Sequence, residues 1–331
     1  MNVSDFYDAF TENNFAMFSK ELNNWSKGDC IEYAFLKVTE DFWNDEASNS
    51  EAYRVSYGLL NDVSDESWAR KKKRVKQSPF LSRNPRVMSD TRPPFWSMGN
   101  VLPNFSCTDM RRVGGHGDGP KWVCNPHRLA TMDQCLIYSF SSDEGHSFEE
   151  ALAVLTEGNC EIHIFDPLLE DTSNSPSVHD HAWGLNTSYT KDFSRKIVER
   201  KESVTLYSFD KIRSLLGHEN RTIHLLHFDC EGCEWYVHAS CDRPAIDFCS
   251  PPSSRLSQRE WMNSGARQIL VESHSFPITN AYGPLVAAKY FSAFVENGYV
   301  LYSKEYTPGG HSTEWSYLKL SDEFWEDVRS M

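Results

Sequence analysis

Residues 223–235 read IHLLHFDCEGCEW, a mostly apolar run that ends on three acids. Ile223–Phe228 has the length and composition of a buried strand. Asp229, Glu231 and Glu234 follow within six residues. Successive side chains of a strand point to opposite faces, so Asp229 at the tip faces the crevice and Glu231 opens the next turn. Carboxylates clustered at a strand's carboxyl end are costly unless they meet a cation, a donor or a substrate. Glu234 also suits a helix N-terminus, where the macrodipole favours acids.

The flanking sequence alternates short apolar runs with helical stretches. Cys135–Phe140 (CLIYSF), Cys160–Phe165 (CEIHIF) and Gln268–Glu272 (QILVE) read as strands, and His181–Gly184 (HAWG) as a short one. Helices are expected over Ser147–Leu155, over Ser208–Leu216 with Ser208 as N-cap, and over Pro284–Asn297, stopped by Gly298. Tyr299–Ser303 (YVLYS) and Ser316–Leu320 (SYLKL) close the pattern. Such alternation implies βαβ units and an α/β fold with a doubly wound, mostly parallel sheet. The two final strands, with no helix between them, imply an antiparallel C-terminal hairpin at one edge.

The 331 residues carry 33 Lys+Arg against 47 Asp+Glu, a formal net charge of −14. A chain this acidic is a poor generic binder of nucleic acid, which needs a basic surface. Residues 1–69 hold 14 acids and 4 bases, and Phe6, Phe10, Met17, Phe18 and Leu22 recur at near-helical steps. Residues 1–76 are therefore expected as an acidic helical extension, with a second helix around Ile31–Phe42. It ends in the basic run Arg70–Lys76. That run reads as a nuclear import signal, a phosphate-binding patch or a solvated helix end. Residues 77–106 hold Pro79, Pro85, Pro93, Pro94 and Pro103 and read as a linker or strap. The main domain is expected over 107–331.

No run of about 18 apolar residues is present, so no membrane span is expected. The start, MNVSDFYDAFTENNF, has neither a basic nor an apolar leader region. The expected location is intracellular, cytoplasmic with nuclear import through Arg70–Lys76. The secretory pathway stays open if an N-terminal anchor was removed. With no secretory signal, the nine cysteines are expected as reduced, largely buried thiols. Cys230-x2-Cys233 lacks the second pair that a structural zinc site needs. Sequons start at Asn2, Asn104, Asn186 and Asn220. Trp122 and Trp183 are expected in the core or a lid, and Gly309-Gly310-His311 in a turn near the crevice.

In a doubly wound sheet the ligand lies at the carboxyl ends of the strands, at the switch point. Ser139, Ser141 and Gly145 lie in the loop after the first strand. That loop has one glycine and no G-x-G-x-x-G, which weakens a pyrophosphate reading. Asp166, at the tip of the next strand, is placed to accept two ribose hydroxyls; an Asp-Pro turn is the plainer explanation. A sulfonium cofactor carries no phosphate, so the pair favours S-adenosylmethionine over a dinucleotide. Glu272 and His274 share one face of the fifth strand's tip, and His274 beside carboxylates suits a general base or metal ligand. A divalent metal on Asp229 and Glu231 is the less favoured route, and no metal ligand is assigned.

Taken in order, Arg112-Val113-Gly114-Gly115…Asp118-Gly119-Pro120-Lys121-Trp122-Val123-Cys124, CLIYSF, EIHIFDP, HFDCEGCEW and LVESH resemble a known family. It is the methyltransferase-like domain family that includes methyltransferase-like protein 24, related to the FkbM-type O-methyltransferases. The resemblance covers roughly residues 107–320. It implies a Rossmann-like S-adenosylmethionine-dependent methyltransferase. Cofactor contacts would fall at Gly114, Gly115, Asp118, Gly119, Ser139, Ser141, Gly145, Asp166 and Asp229. Asp229, Glu231, Glu272 and His274 would be the catalytic set, with Glu272 or His274 as base. Asn/Asp-Pro-Pro-Tyr/Phe is absent after the fourth strand, which favours a hydroxyl acceptor on a small molecule or glycan. Pro120 and Ser141-Ser142 stand where the family carries glycines. These departures support a second reading, a catalytically silent Rossmann-like module for a protein or nucleic-acid partner. A third, a protein or RNA methyltransferase, rests on Arg70–Lys76.

Overall fold

Four of the apolar runs pair side by side as the parallel centre of a single sheet: β5 (Leu136–Ser141), β6 (Glu161–Phe165), β10 (Leu225–Asp229) and β11 (Gln268–His274). The computed structural model describes residues 15–22, 31–37, 65–77, 101–115, 119–141, 146–169, 173, 175–186, 204–230, 233–234, 261–274, 283–307, 312–322 and 324–325. With β7 (Val178–His181), β12 (Tyr299–Tyr306) and β13 (Ser312–Lys319), the sheet has seven strands in the order β12-β13-β11-β10-β5-β6-β7. Only β13 runs antiparallel to its neighbours. The chain builds outward one way through β5, β6 and β7 and the other way through β10 and β11. The reversal between β5 and β10 makes a crevice at their carboxyl ends.

Alternation divides the strands between two apolar layers. Ile137, Ile162, Ile164, Leu225 and Leu270 face one side, with Phe148, Leu152 and Ala153 of α3 (Ser147–Leu155). Tyr138, Phe140, Phe165, Leu226, Phe228 and Val271 face the other. Each such side chain, fully buried, contributes about 1.5–3 kcal/mol. The predicted cap of α4 (Phe209–Leu215) forms: the Ser208 hydroxyl accepts from the Lys211 N–H at 3.2 Å. Gly298 ends α5 (Gly283–Glu296) at φ 77°, as its C′ position requires.

The chain divides into two compact units, residues 1–51 and 52–331. In the first, the helical expectation fails. Phe15–Leu22 (β1) and Ile31–Lys37 (β2) form an antiparallel pair, with Leu22 opposite Ile31 and Met17 opposite Phe35. Ile31, Tyr33 and Phe35 alternate with period two, which a strand satisfies. A bulge between Met17 and Ser19 breaks that alternation in β1, so its apolar spacing imitates a helix. The stretch Phe6–Phe10 lies outside the described residues, as does most of 77–106.

In the second unit the basic run is part of a helix, α1 (Asp65–Gln77). Trp68 and Val75 are buried on one side, with Trp68 edge-on to Phe105 and Phe324. Lys72 is buried on this helix, and the Lys71 ammonium donates to Ser106. Burial, with Arg74 and Arg70 beside it, lowers Lys71 to about 8. Arg70, Lys73 and Arg74 face solvent.

The reduced-thiol expectation fails for six of the nine cysteines; Cys30, Cys241 and Cys249 lie outside the described residues. Cys107–Cys124, Cys135–Cys160 and Cys230–Cys233 are disulfides. Strand register makes the second one: Leu136 pairs with Glu161, so the cysteines just before them lie side by side, 4.5 Å apart at Cα. The first two close separations of 17 and 25 residues, each worth about 3 kcal/mol through the unfolded chain. Peptide mapping without reductant is expected to recover both pairs as linked peptides. Full reduction is expected to lower the midpoint of urea unfolding.

Candidate active site

Two short strands that alternation along the sequence did not reveal, β3 (Met110–Val113) and β4 (Lys121–Cys124), form a hairpin. Gln268 of β11 clamps it down: its amide bonds both the N–H and the carbonyl of Cys124, each at 2.9 Å. Tyr302 donates to the Trp122 carbonyl at 3.0 Å. Glu305 accepts from the Trp122 indole at 2.7 Å and from Arg112 at 3.2 Å. Docking this hairpin drives the side chain of Lys121 against the tips of the central strands.

Lys121 is 1% exposed and meets three carboxylates. Its ammonium lies 2.9 Å from Asp229 Oδ2 and 3.0 Å from Glu272 Oε2, and it also donates to Glu314. Glu314 faces Glu272 across β11 and β13. Burial alone would strip the lysine of its proton; Asp229, Glu314 and Glu272 outweigh that and raise it well above its ordinary range. Burial likewise opposes ionisation of Asp229, but Lys121, with His227 and His274, holds it well below the usual carboxylate range. Glu314 goes the other way: burial, with Glu272 and Asp229 nearby, pushes it well above its ordinary value, although Lys121 opposes this.

His274 completes the group. Its Nδ1 is 3.1 Å from Glu234 Oε1, which also accepts its backbone N–H at 2.9 Å, and its Nε2 is 3.9 Å from Glu272 Oε1. Glu234 is fully buried, brought back to this point just after the Cys230–Cys233 bridge. Burial works against an imidazolium, yet Glu234, Glu272 and Asp229 raise His274 to about 10. At neutral pH it carries its proton.

The sequence-predicted residues divide into three groups. Asp229, Glu272 and His274 come together, and Ser141 pairs with Asp229 across the switch point. Gly114 and Gly119 pack on the start of α3. A Cβ on Gly114, at φ 108°, would stand 3.0 Å from the Phe148 backbone; one on Gly119 would stand 3.7 Å from the Ser147 hydroxyl. Gly115 lies in the same turn, at φ 90°. Ser139 is committed elsewhere: its hydroxyl donates to Glu149 of α3 and lies 2.8 Å from His227 Nδ1. Asp166, buried at the tip of β6, accepts from the Leu168 N–H at 2.8 Å, as an Asp-Pro turn would. Asp118, Gly145 and Glu231 lie outside the described residues. Lys121 and Glu314 were given no role from the sequence. For Lys121 a signal was present, one charge at the head of the apolar run Trp122-Val123-Cys124; for Glu314, in the mixed stretch STEWSYLK, there was none.

In an open α/β sheet the crevice at a switch point is where ligands bind, and charged groups gather here at the strand tips beside it. A family model described as a methyltransferase domain matches residues 1–37, 50–247 and 249–319, and the chain belongs to that family. The match takes in residues before 107, where the motifs carried nothing. No curated protein matches the chain.

Removing Lys121 would leave buried carboxylates facing one another. Lys121→Met is expected to cost about 3–5 kcal/mol in urea unfolding, with part recovered by adding Glu314→Gln. For His274, whose ordinary value is 6.5, the stabilisation is complete below pH 6.5 and is lost as pH rises through about 10. His274→Gln is expected to flatten the decline in stability between those limits, and the His274 ring protons should not titrate by NMR between pH 6.5 and 8.

Proposed function

We propose that the protein is a Rossmann-like, S-adenosylmethionine-dependent methyltransferase that methylates a hydroxyl on a small molecule or glycan. The observation that carries this reading is the Lys121–Asp229–Glu272–His274 cluster at the strand tips beside the β5/β10 reversal. The family match supports the methyl-transfer class. The described residues fit the cofactor. Ser141 and Asp229 stand together at the crevice, and Asp166 is one strand tip further on. The Gly114–Gly119 turn lies against the start of α3, at the far end of the loop that follows β5. Bound there, S-adenosylmethionine supplies an activated methyl carbon.

The chain's own groups would handle the acceptor. His274 holds its proton at neutral pH and is a poor base, and Asp229 is held ionised by Lys121. Glu272, bonded to Lys121 through Oε2 and facing His274 with Oε1, is the residue we assign to take the hydroxyl proton. Lys121 and His274 would steady the negative charge that develops on the acceptor oxygen. Lys121 Nζ already bonds Asp229, Glu272 and Glu314, and this reading uses no metal.

The acceptor is taken to be small or a glycan because the basic run offers nucleic acid little. Lys71 and Lys72 are drawn into the α1 packing. Among the described residues, no helix is long and apolar enough to cross a membrane. Three disulfides suit an oxidising compartment better than the cytosol or nucleus.

Calorimetric titration with S-adenosylhomocysteine is expected to give micromolar binding that Asp166→Ala weakens by at least about tenfold, the loss of one charge-assisted hydrogen bond. Glu272→Gln should bind it as the wild type does, while methyl transfer to hydroxyl acceptors falls by about 100-fold or more. Failure of the folded protein to bind would favour the catalytically silent module.

A further inference from the structure

On the opposite face of the sheet, His179 and His181 of β7 and His218 gather around His163 of β6. Glu161 and His163 are two apart on β6 and so share that face. His218 comes to them from the turn after α4. His163 Nε2 lies 2.8 Å from Glu161 Oε1, and His218 Nε2 lies 3.5 Å from the same oxygen. All three donor atoms fall within 4.8 Å of one another. Each imidazole is held from behind. His163 Nδ1 is 2.8 Å from His181 Nε2, and His218 Nδ1 is 2.8 Å from the Tyr138 hydroxyl. Fixing Nδ1 in this way aims Nε2 and sets the ring's orientation, the arrangement that surrounds histidines bound to metal.

A cation already marks the place. Arg221 Nη1 lies 2.5 Å from Glu161 Oε2 and 3.1 Å from His218 Nε2. Arg221 also lines an open cleft of about 460 Å³, with Gln134, Cys135, Asn159 and Glu161. Its Nη2 donates to the Gln134 carbonyl at 3.3 Å, and Glu161 is the one of the three donors that the cleft reaches.

We propose that Glu161, His163 and His218 form a zinc-binding site, for which Arg221 is the resident competitor. Two imidazole nitrogens and one carboxylate oxygen are a zinc donor set. Magnesium and calcium prefer oxygen donors alone. The fourth position opens to the cleft and takes water. The bound ion ties β6 to the turn after α4 and touches none of the residues assigned to methyl transfer.

The test is calorimetric titration of zinc chloride into the full chain, with cobalt(II) absorption as a readout of ligand geometry. The wild type is expected to bind one ion, with the intense visible bands of a tetrahedral cobalt site. His218→Ala should abolish binding, and Arg221→Ala should tighten it by removing the competitor. Tyr138→Phe spares the ligands and loosens only the ring behind them; it should weaken binding by about tenfold even if His218→Ala does not fold. His274→Ala should bind as the wild type does. Absence of binding in both wild type and Arg221→Ala overturns the proposal. So does binding that survives His218→Ala, is untouched by Tyr138→Phe or is lost in His274→Ala.

Discussion

Lys121 is a buried positive charge around which three acids from three strands arrange themselves. Without it, Asp229, Glu272 and Glu314 would repel one another in a medium that screens little. The ammonium acts differently on its partners: Asp229 is driven towards the ionised form, while burial and the neighbouring acids push Glu314 upwards against it. His274 and Glu234 form a second pair of charges against the same cluster. Glu272 stands between the two cations, and this is what singles it out among the acids.

The hairpin that carries Lys121 is held by contacts with no part in chemistry. Gln268 of β11 and Tyr302 and Glu305 of β12 fix β4 across one end of the sheet, with β13 between β11 and β12. Gly114 lets the hairpin turn approach α3 more closely than any side chain would allow. Ser139, Glu149 and His227 then lock the first turn of α3 to β5 and β10. The strand tips that carry the charged cluster and the start of α3 are thus registered to one another through a buried polar frame.

Much of this was legible because strand alternation writes it into the sequence. Leu225-His227-Asp229 and Leu270-Glu272-His274 each pass from apolar to charged along one face, so their tips announce a site. The parallel order followed from strands spaced by helical stretches. Other parts depend on pairings that one strand cannot reveal. Glu314 reads as an ordinary surface acid until β13 is known to run antiparallel beside β11. Lys121 lies in a four-residue strand, too short to show a period. The disulfide between Cys135 and Cys160 depends on the register of β5 against β6. In β1 a single bulge shifted the apolar residues enough to suggest the wrong period.

The sequence separations within the Lys121 cluster carry a consequence for how the protein matures. Lys121 reaches acids that lie 108, 151 and 193 residues further along the chain. Contacts of that range close late, after the loops between them have been ordered. A nascent chain therefore cannot assemble the site before Glu314 in the last strand has been made and docked. Until the hairpin that carries Lys121 has docked on Gln268, Tyr302 and Glu305, Asp229 and Glu272 lack the counter-charge that lets them be buried. The charge cluster and the completed sheet therefore arrive together, and a chain cut before Glu314 lacks one of the three acids that Lys121 gathers.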